Sequence, residues 1–566
     1  MTTLHPATLA QNRAANPVSS TWLSANAGSG KTRVLTDRVA RLLLAGVDPQ
    51  NILCLTYTKA AASEMQNRLF QRLGTWSMLA DGFLREELRG LGVEDLSDLS
   101  DARTLFARAS ETPGGLKIQT IHSFCAALLR RFPLEAGVSL GFTEMDGAAQ
   151  AHLIADILDR LAENDTGGCI SGVARYHAGD DLGALAKEVA KHRLAFQSAP
   201  SRDEILGRYG LSPGYSAASL DKELLGAGAI LRAAVPILAA GSASEQKVAA
   251  TLRTVDPDGP AATVLPVLEG PFLFGKTAAT PFGSKAGKFP TKRTRAAHPG
   301  LADDLDHLTD TVERLRGRRL ALEAAEKSHA LHDFATAFLP AYEAAKQARG
   351  WLDFDDLILR TTALLSDPSV AAWVLYRLDG GIDHVLVDES QDTSPAQWRI
   401  VELLTQELGS GEGARADVPR TLFVVGDKKQ SIYSFQGADA DAFERMQAAF
   451  TERLRPQGGL QGLSLAHSFR SSPAILAAVD ATFEADAGAD LGTDMRHIAF
   501  HDAMPGRVDL WPVLPKADAP EDGDWTDPVD MPAPSAASNV LADKIAGEVR
   551  RMIDAGTVIA HPKDGA

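Results

Sequence analysis

Cysteine is nearly absent from this 566-residue chain, and the three present, Cys54, Cys125 and Cys169, lie far apart. They exclude a disulfide framework and a thiolate zinc cluster, and they fit buried thiols kept reduced in the cytoplasm. Long apolar runs are missing too. No stretch reaches the ~18 residues of a membrane span and no basic-then-apolar leader opens the chain, so a soluble, unexported, cytoplasmic protein is expected. Positive charge is also scarce. With 57 Lys and Arg against 73 Asp and Glu, the formal net charge is -16. By itself that argues against a nucleic-acid partner, because phosphate binding needs Lys and Arg, but it leaves room for a local basic groove. Apolar substance is plentiful: 45% of residues are hydrophobic, enough for roughly three or four domains of ~150 residues.

Short runs rich in Val, Ile and Leu, each ending in small or polar residues before a helical pattern, recur at 21–24, 52–56, 385–387 and 422–425. Strands apolar on both faces suit a parallel sheet covered by helices, whose ligand chemistry gathers at the carboxyl ends of the strands. From about 145 to 345 the pattern turns helical, which reads as an insertion into the first sheet domain. Within it, 270–302 holds no acidic residue but Lys276, Lys285, Lys288, Lys292, Arg293 and Arg295, interleaved with Phe272, Phe274, Phe282 and Phe289. This is either a basic contact surface or a solvated loop. An acidic, Pro-rich linker follows at 516–538, then an amphipathic helix at 539–555.

The first strand runs into "SANAGSGKT" and a helix. Ala25, four residues, then Gly30-Lys31-Thr32 is a P-loop with alanine in first place. Its span Asn26, Ala27, Gly28, Ser29 and Gly30 turns backbone N–H groups toward phosphate oxygens, Lys31 reaches the β and γ phosphates, and the Thr32 hydroxyl ligates Mg²⁺. Such a site needs a carboxylate at a neighbouring strand end, and "HVLVDESQD" supplies one. Asp388 would hold Mg²⁺, directly or through water, and Glu389 could orient and deprotonate the attacking water. Gln430 is suited to the γ-phosphate or the water, Arg470 to the same phosphate from a second domain, and Gln11 to adenine N6 and N7.

Taken in order, "AQNRAANP", "SANAGSGKT", "LTYTKAAASEM", "IQTIHSFC", "VDESQD", "VVGDKKQSIYSFQGAD" and "HSFRSS" resemble the motifs of superfamily 1A DNA helicases of the UvrD/Rep type. The P-loop form, "LDFDDLI" at 352–358 and the long helical insertion are most similar to AddA, the helicase-nuclease subunits of AddAB double-strand-break repair complexes. The resemblance implies an α/β fold: a RecA-like P-loop motor domain, parallel sheet with helices on both faces, carrying a helical insertion, followed by an incomplete second RecA-like domain. The implied boundaries are motor domain 1A at 1–145 and 346–448, insertion domain 1B at 146–345, and the start of domain 2A at 449–566.

The same resemblance implies an ATP-dependent, 3′-to-5′ helicase using ATP and Mg²⁺, acting on single-stranded and duplex DNA beside an AddB-type partner. Thr56, Tyr57 and His122 match positions near single-stranded DNA, and Tyr433 and Phe435 match aromatics on which bases stack. A stacked base is worth ~1 to 3 kcal/mol whatever its identity, as a translocating motor requires. Gln436 departs from the arginine common in relatives. No "GxxD...YK" nuclease cluster occurs, and the chain resembles the amino-terminal half of a longer protein. Competing readings are a UvrD/Rep-like repair helicase without nuclease, and an ATP-driven clamp of the SMC or ABC kind. The clamp requires an LSGGQ-like signature and a long coiled coil, and neither is present.

Overall fold

The computed structural model describes residues 5–93, 97–112, 115–164, 168–177, 179, 181–377, 381–406, 419–432, 437–483, 497–515 and 536–558. The chain forms two compact units, one of residues 1–142 with 354–566 and one of 143–353. Ten strands are formed among the described residues: β1 (Ser20–Ala25), β2 (Ile52–Thr56), β3 (Lys117–Thr120), β4 (Thr143–Glu144), β5 (Trp351–Leu352), β6 (His384–Val387), β7 (Thr421–Gly426), β8 (Leu460–Leu465), β9 (His467–Ser468) and β10 (Ile498–Ala499), the last two a parallel pair of their own.

In the first unit six strands form one sheet in the order β3-β2-β6-β7-β1-β8, every pair parallel. Each residue of β2, β6 and β7 is buried, as expected of strands covered on both faces. On one face, Leu23, Leu386, Phe423 and Val425 share a core with Ala14 of helix α1 (Pro6–Ala14), Val34, Leu35 and Val39 of helix α2 (Lys31–Leu44), and Met65, Leu69 and Leu73 of helix α3 (Lys59–Met78). The other face is aromatic. Trp22 stacks on Trp398 at 5.8 Å and 16°, with Phe443 at 4.9 Å. Because all six strands run one way, the turns after β1, β2, β3, β6 and β7 open on one edge of the sheet, the edge where ligands gather in parallel sheets. The sheet does not stop at residue 448. β8 pairs along the whole of β1, from Ser20 with Leu460 to Ala25 with Leu465, so the segment preceding Arg470 belongs to this same sheet.

At the opposite edge Arg38 is fully buried and is held by backbone carbonyls. Its guanidinium donates to Asn16 O and Ser19 O at 2.6 Å and to Thr421 Oγ1 at 3.0 Å. Burial, with Arg41 nearby, pushes its pKa down to about 9. Thr421 Oγ1 also lies 2.8 Å from His384 Nδ1. Burial and then the Arg38 charge hold the His384 pKa down at about 4, so the folded protein keeps this ring neutral. The unfolded chain therefore binds more protons between pH 6.5 and 4. Stability from His384 is complete above about pH 6.5 and is lost as pH falls toward 4, by up to roughly 3 kcal/mol. His384→Asn, which keeps an acceptor without a titrating group, should flatten the fall in melting temperature over that range; an unchanged fall would contradict the assignment.

Among its described residues the second unit is helical apart from the parallel pair β4 and β5, in which Thr143 faces Trp351, and one antiparallel bridge between Leu273 and Ser284. Its axis is one helix, Pro299–Arg349, of 51 residues. Leu305, Leu308, Val312 and Leu315 face one core, and Phe334, Phe338 and Tyr342 face another. The basic stretch 270–302 is an ordered part of the first core, with Phe272 buried and Phe282 and Phe289 packed against it. Two of its cations are used internally: Lys285 Nζ donates to Gly270 O at 3.0 Å and Pro271 O at 3.1 Å, and Arg295 pairs with Asp306 at 2.6 Å. Lys276, Lys288, Lys292 and Arg293 remain exposed or partly so. Among the described residues no helix is long and apolar enough to cross a membrane.

Candidate nucleotide site

β1 ends at Ala25, and the loop Asn26, Ala27, Gly28, Ser29, Gly30 turns the chain into α2 at Lys31. The turn requires left-handed backbone at Gly28 (φ 74°) and Gly30 (φ 86°). Space forbids side chains as well. A Cβ on Gly28 would sit 2.8 Å from Ser468 Oγ and 3.0 Å from Arg470 Cβ, and one on Gly30 2.8 Å from Gln11 Nε2. Gln11, 2% exposed, holds the loop from behind by donating to Ser29 O at 2.9 Å, while Ser29 Oγ donates to Asn26 O at 2.7 Å. Thr32 lies in the first turn of α2, whose free backbone N–H groups favour an anion.

Lys31 Nζ lies 2.8 Å from Glu389 Oε2, joining residues 358 positions apart. Glu389 follows β6 in a left-handed conformation (φ 47°), the kind of backbone strain that non-glycine residues seldom carry. Its N–H donates to Asp388 Oδ1 at 3.0 Å. Burial, reinforced by the Glu389 charge and only partly offset by Lys31, pushes Asp388 up to about 7. The same two causes push Asp392 up to about 6. A buried carboxylate, held reluctantly charged beside Glu389, suits a small hard cation that takes few protein ligands and completes its shell with water and phosphate oxygens, as Mg²⁺ does. Among the described residues no group of three or more His, Cys, Asp or Glu side chains has the geometry of an all-protein metal cage.

β7 ends at Gly426, and Asp427 begins a short turn. Gln430 Nε2 donates to Asp427 Oδ2 at 2.7 Å, so the amide here is turned onto its own loop. Lys429 Nζ donates to Asn26 Oδ1 at 2.6 Å, tying this turn to the P-loop. The third link is Gln391, a residue to which the motifs assign no role. Its Nε2 donates to Glu389 Oε2 at 2.8 Å and its Oε1 accepts from Asp427 N at 2.9 Å. Arg470 stands on the segment after β8, exposed, with the Phe469 N–H donating to Gly28 O at 2.8 Å. The P-loop, the β6 carboxylates, Gln430 and Arg470 are thus gathered at one edge of one sheet. Tyr433, Phe435 and Gln436 lie outside the described residues.

Thr56, Tyr57 and His122 line one small depression with Asp388, Thr393 and Gln397, after β2, β3 and β6. Thr56 is buried, 2% exposed, with its hydroxyl donating to Thr58 O at 3.1 Å. Tyr57 and His122 are half-buried, and the His122 ring meets Phe354 edge-on at 5.4 Å.

The profile of the UvrD/REP helicase N-terminal domain matches residues 7–451. Among curated proteins, the A-type subunit of the ATP-dependent helicase/nuclease of Desulforudis audaxviator is 29% identical over 509 residues, 81% of this chain and 38% of that protein. The protein of the same name from Pelotomaculum thermopropionicum is 28% identical, covering 82% of this chain and 37% of its own length. The one from Latilactobacillus sakei is 27% identical, covering 79% and 51%. The chain therefore spans between about a third and a half of the length of these relatives.

Proposed function

The chain belongs to the UvrD/REP helicase N-terminal domain family, and from that membership and the geometry above we propose that it is the ATP-hydrolysing motor portion of an AddA-type DNA helicase, a cytoplasmic enzyme moving 3′ to 5′ in double-strand-break repair. The observation that carries this reading is the 2.8 Å contact between the P-loop Lys31 and the strand-end Glu389. In this reading Ala25 through Thr32 wrap the nucleotide phosphates, Lys31 neutralises their charge, and Gln11, whose amide here donates to Ser29 O, turns it to adenine when the nucleotide binds. Gln430 and Arg470 contact the γ-phosphate. Thr32 and Asp388 would hold Mg²⁺, which supplies charge neutralisation between the phosphates. Glu389 takes the proton from the attacking water, a step in which a positioned base is worth ~10² to 10⁴ in rate.

Tyr57 and His122 stand near the DNA, with Thr56 shaping the floor beneath them, and Tyr433 and Phe435 stack bases. Lys276, Lys288, Lys292 and Arg293 offer an additional surface for backbone phosphates, despite the acidic sum. The relatives' name, that of one subunit of a helicase/nuclease, supports an AddB-type partner. The test is ATP turnover by the full-length protein with and without single-stranded DNA, paired with unwinding of duplexes bearing 3′ or 5′ tails. Stimulation that weakens with salt, and unwinding from the 3′ tail, are expected. Turnover indifferent to DNA would overturn the motor reading, and preference for the 5′ tail would overturn the polarity.

A further inference from the structure

Gln391 has no part in the chemistry assigned above, yet its side chain touches two pieces of it. Its amide donates to the Glu389 carboxylate and accepts from the Asp427 N–H, at 2.8 and 2.9 Å. At 1% exposure it has no water to replace either bond, and its Nε2 makes a longer contact besides, 3.3 Å to Asp392 Oδ2. Its orientation is forced: turned over, the amide would set its NH₂ against an N–H and its oxygen against a carboxylate. Neighbouring bonds stitch the same turn to the end of β7. Ser390 Oγ donates to Val425 O at 2.9 Å, and Ser431 Oγ donates to Gln391 O at 3.3 Å. Gly426 is what lets the two turns close, because a Cβ there would lie 2.5 Å from Ser390 Oγ and 2.9 Å from Gln391 Oε1.

We propose that Gln391 is a positioning residue through which the loop beginning at Asp427 sets the direction of the Glu389 carboxylate, so that DNA held by that loop controls ATP hydrolysis. The proposal rests on the reading of Glu389 as the base and of this loop as the one leading to the DNA-stacking aromatics. Lys31 and Gln391 both hold Glu389 Oε2. Lys31 cannot serve a phosphate and Glu389 with the same geometry, so once it turns to phosphate the amide of Gln391 holds the carboxylate. That amide is planar and stiff, and displacement of the Asp427 N–H at one end is passed to the carboxylate at the other. A misplacement of about 1 Å in a reacting group is enough to cost ~10²-fold in rate.

The experiment uses the full-length protein with Gln391→Met, which keeps the side-chain length and removes donor and acceptor. ATP turnover with and without a single-stranded oligonucleotide, the KM for ATP and oligonucleotide affinity are measured together. The expected result is a stimulation ratio that falls at least ~10-fold toward unity, with KM and affinity within a few-fold of wild type, as for an interaction that acts only in the transition state. An undiminished ratio would overturn the proposal, and so would a loss of ATP affinity with the ratio preserved, the mark of a structural role. Should the Met variant fail to fold, Gln391→Glu keeps the acceptor for Asp427 N–H and sets a charge against Glu389. It too must lose stimulation, and retained stimulation refutes the link. A wild-type protein that DNA does not stimulate removes the parent reading instead, which the wild-type arm alone reveals.

Discussion

Lys31→Ala is expected to lower ATP turnover by at least about 10² to 10³-fold, the size of effect seen when one preorganised electrostatic group is removed from a transition state. The lysine side chain is 10% exposed and is paired with Glu389, so its charge works in a setting where water screens little. Without it, Asp388, Glu389 and Asp392 stand together with no Lys31 to offset them, and the Asp388 carboxyl, already pushed up to about 7, rises further. Both phosphate neutralisation and readiness to accept Mg²⁺ suffer. The fold should survive, because Glu389, 35% exposed, keeps water and the Gln391 amide as partners when Lys31 is lost. DNA binding should largely survive too, since Tyr57 and His122 stand after β2 and β3, separated from β1 by β6 and β7. Phosphate release, melting temperature and oligonucleotide affinity check the three parts. Turnover within tenfold of wild type would remove Lys31 from the site.

The parallel sheet was legible because β1, β2, β6 and β7 are apolar runs, largely buried, that end at small or polar residues before a helix. The P-loop was legible for a related reason: its spacing reflects backbone geometry, and Gly28 and Gly30 both take up positive φ. Links between motifs were less visible. Gln391 sits inside "VDESQD", yet the N–H it serves is 36 residues away, and no local pattern marks an amide that will bridge two turns. Gln430 carried the right chemistry, but which acceptor its amide meets is set by the turn at Asp427. The basic stretch was legible as charge, not as use. Lys285 and Arg295 fold inward because carbonyls and Asp306 lie across from them, a fact of packing rather than of composition. β8 was hidden in a different way. Its residues are half-buried or exposed until Leu465, as befits an edge strand, and read as a new domain rather than as the last strand of the first sheet.

Glu389→Gln should separate binding from chemistry. The amide keeps the shape of the carboxylate and one oxygen able to accept from Lys31 or Gln391, but it cannot take a proton from water, so turnover should fall by ~10² to 10⁴-fold. The backbone should not object, because glutamine meets the same φ of 47° that glutamate already tolerates. Removing this negative charge also relieves Asp388, for which Glu389 is the second cause of its raised pKa after burial. Asp388 then ionises more readily, and Mg²⁺ with nucleotide should bind as tightly as in the wild type or several-fold more tightly. Glu389→Gly supplies the contrast. It loses the same base and releases left-handed strain of about 1 kcal/mol, but it also takes the Glu389 partner from Lys31 and from the buried Gln391 amide, so no rise in melting temperature is expected. Binding of a fluorescent nucleotide analogue and single-turnover hydrolysis decide the matter. A Gln variant that binds more than tenfold weaker would make Glu389 a binding residue, and one that turns over within tenfold of wild type would send the search for the base to the other two carboxylates of raised pKa, Asp388 and Asp392.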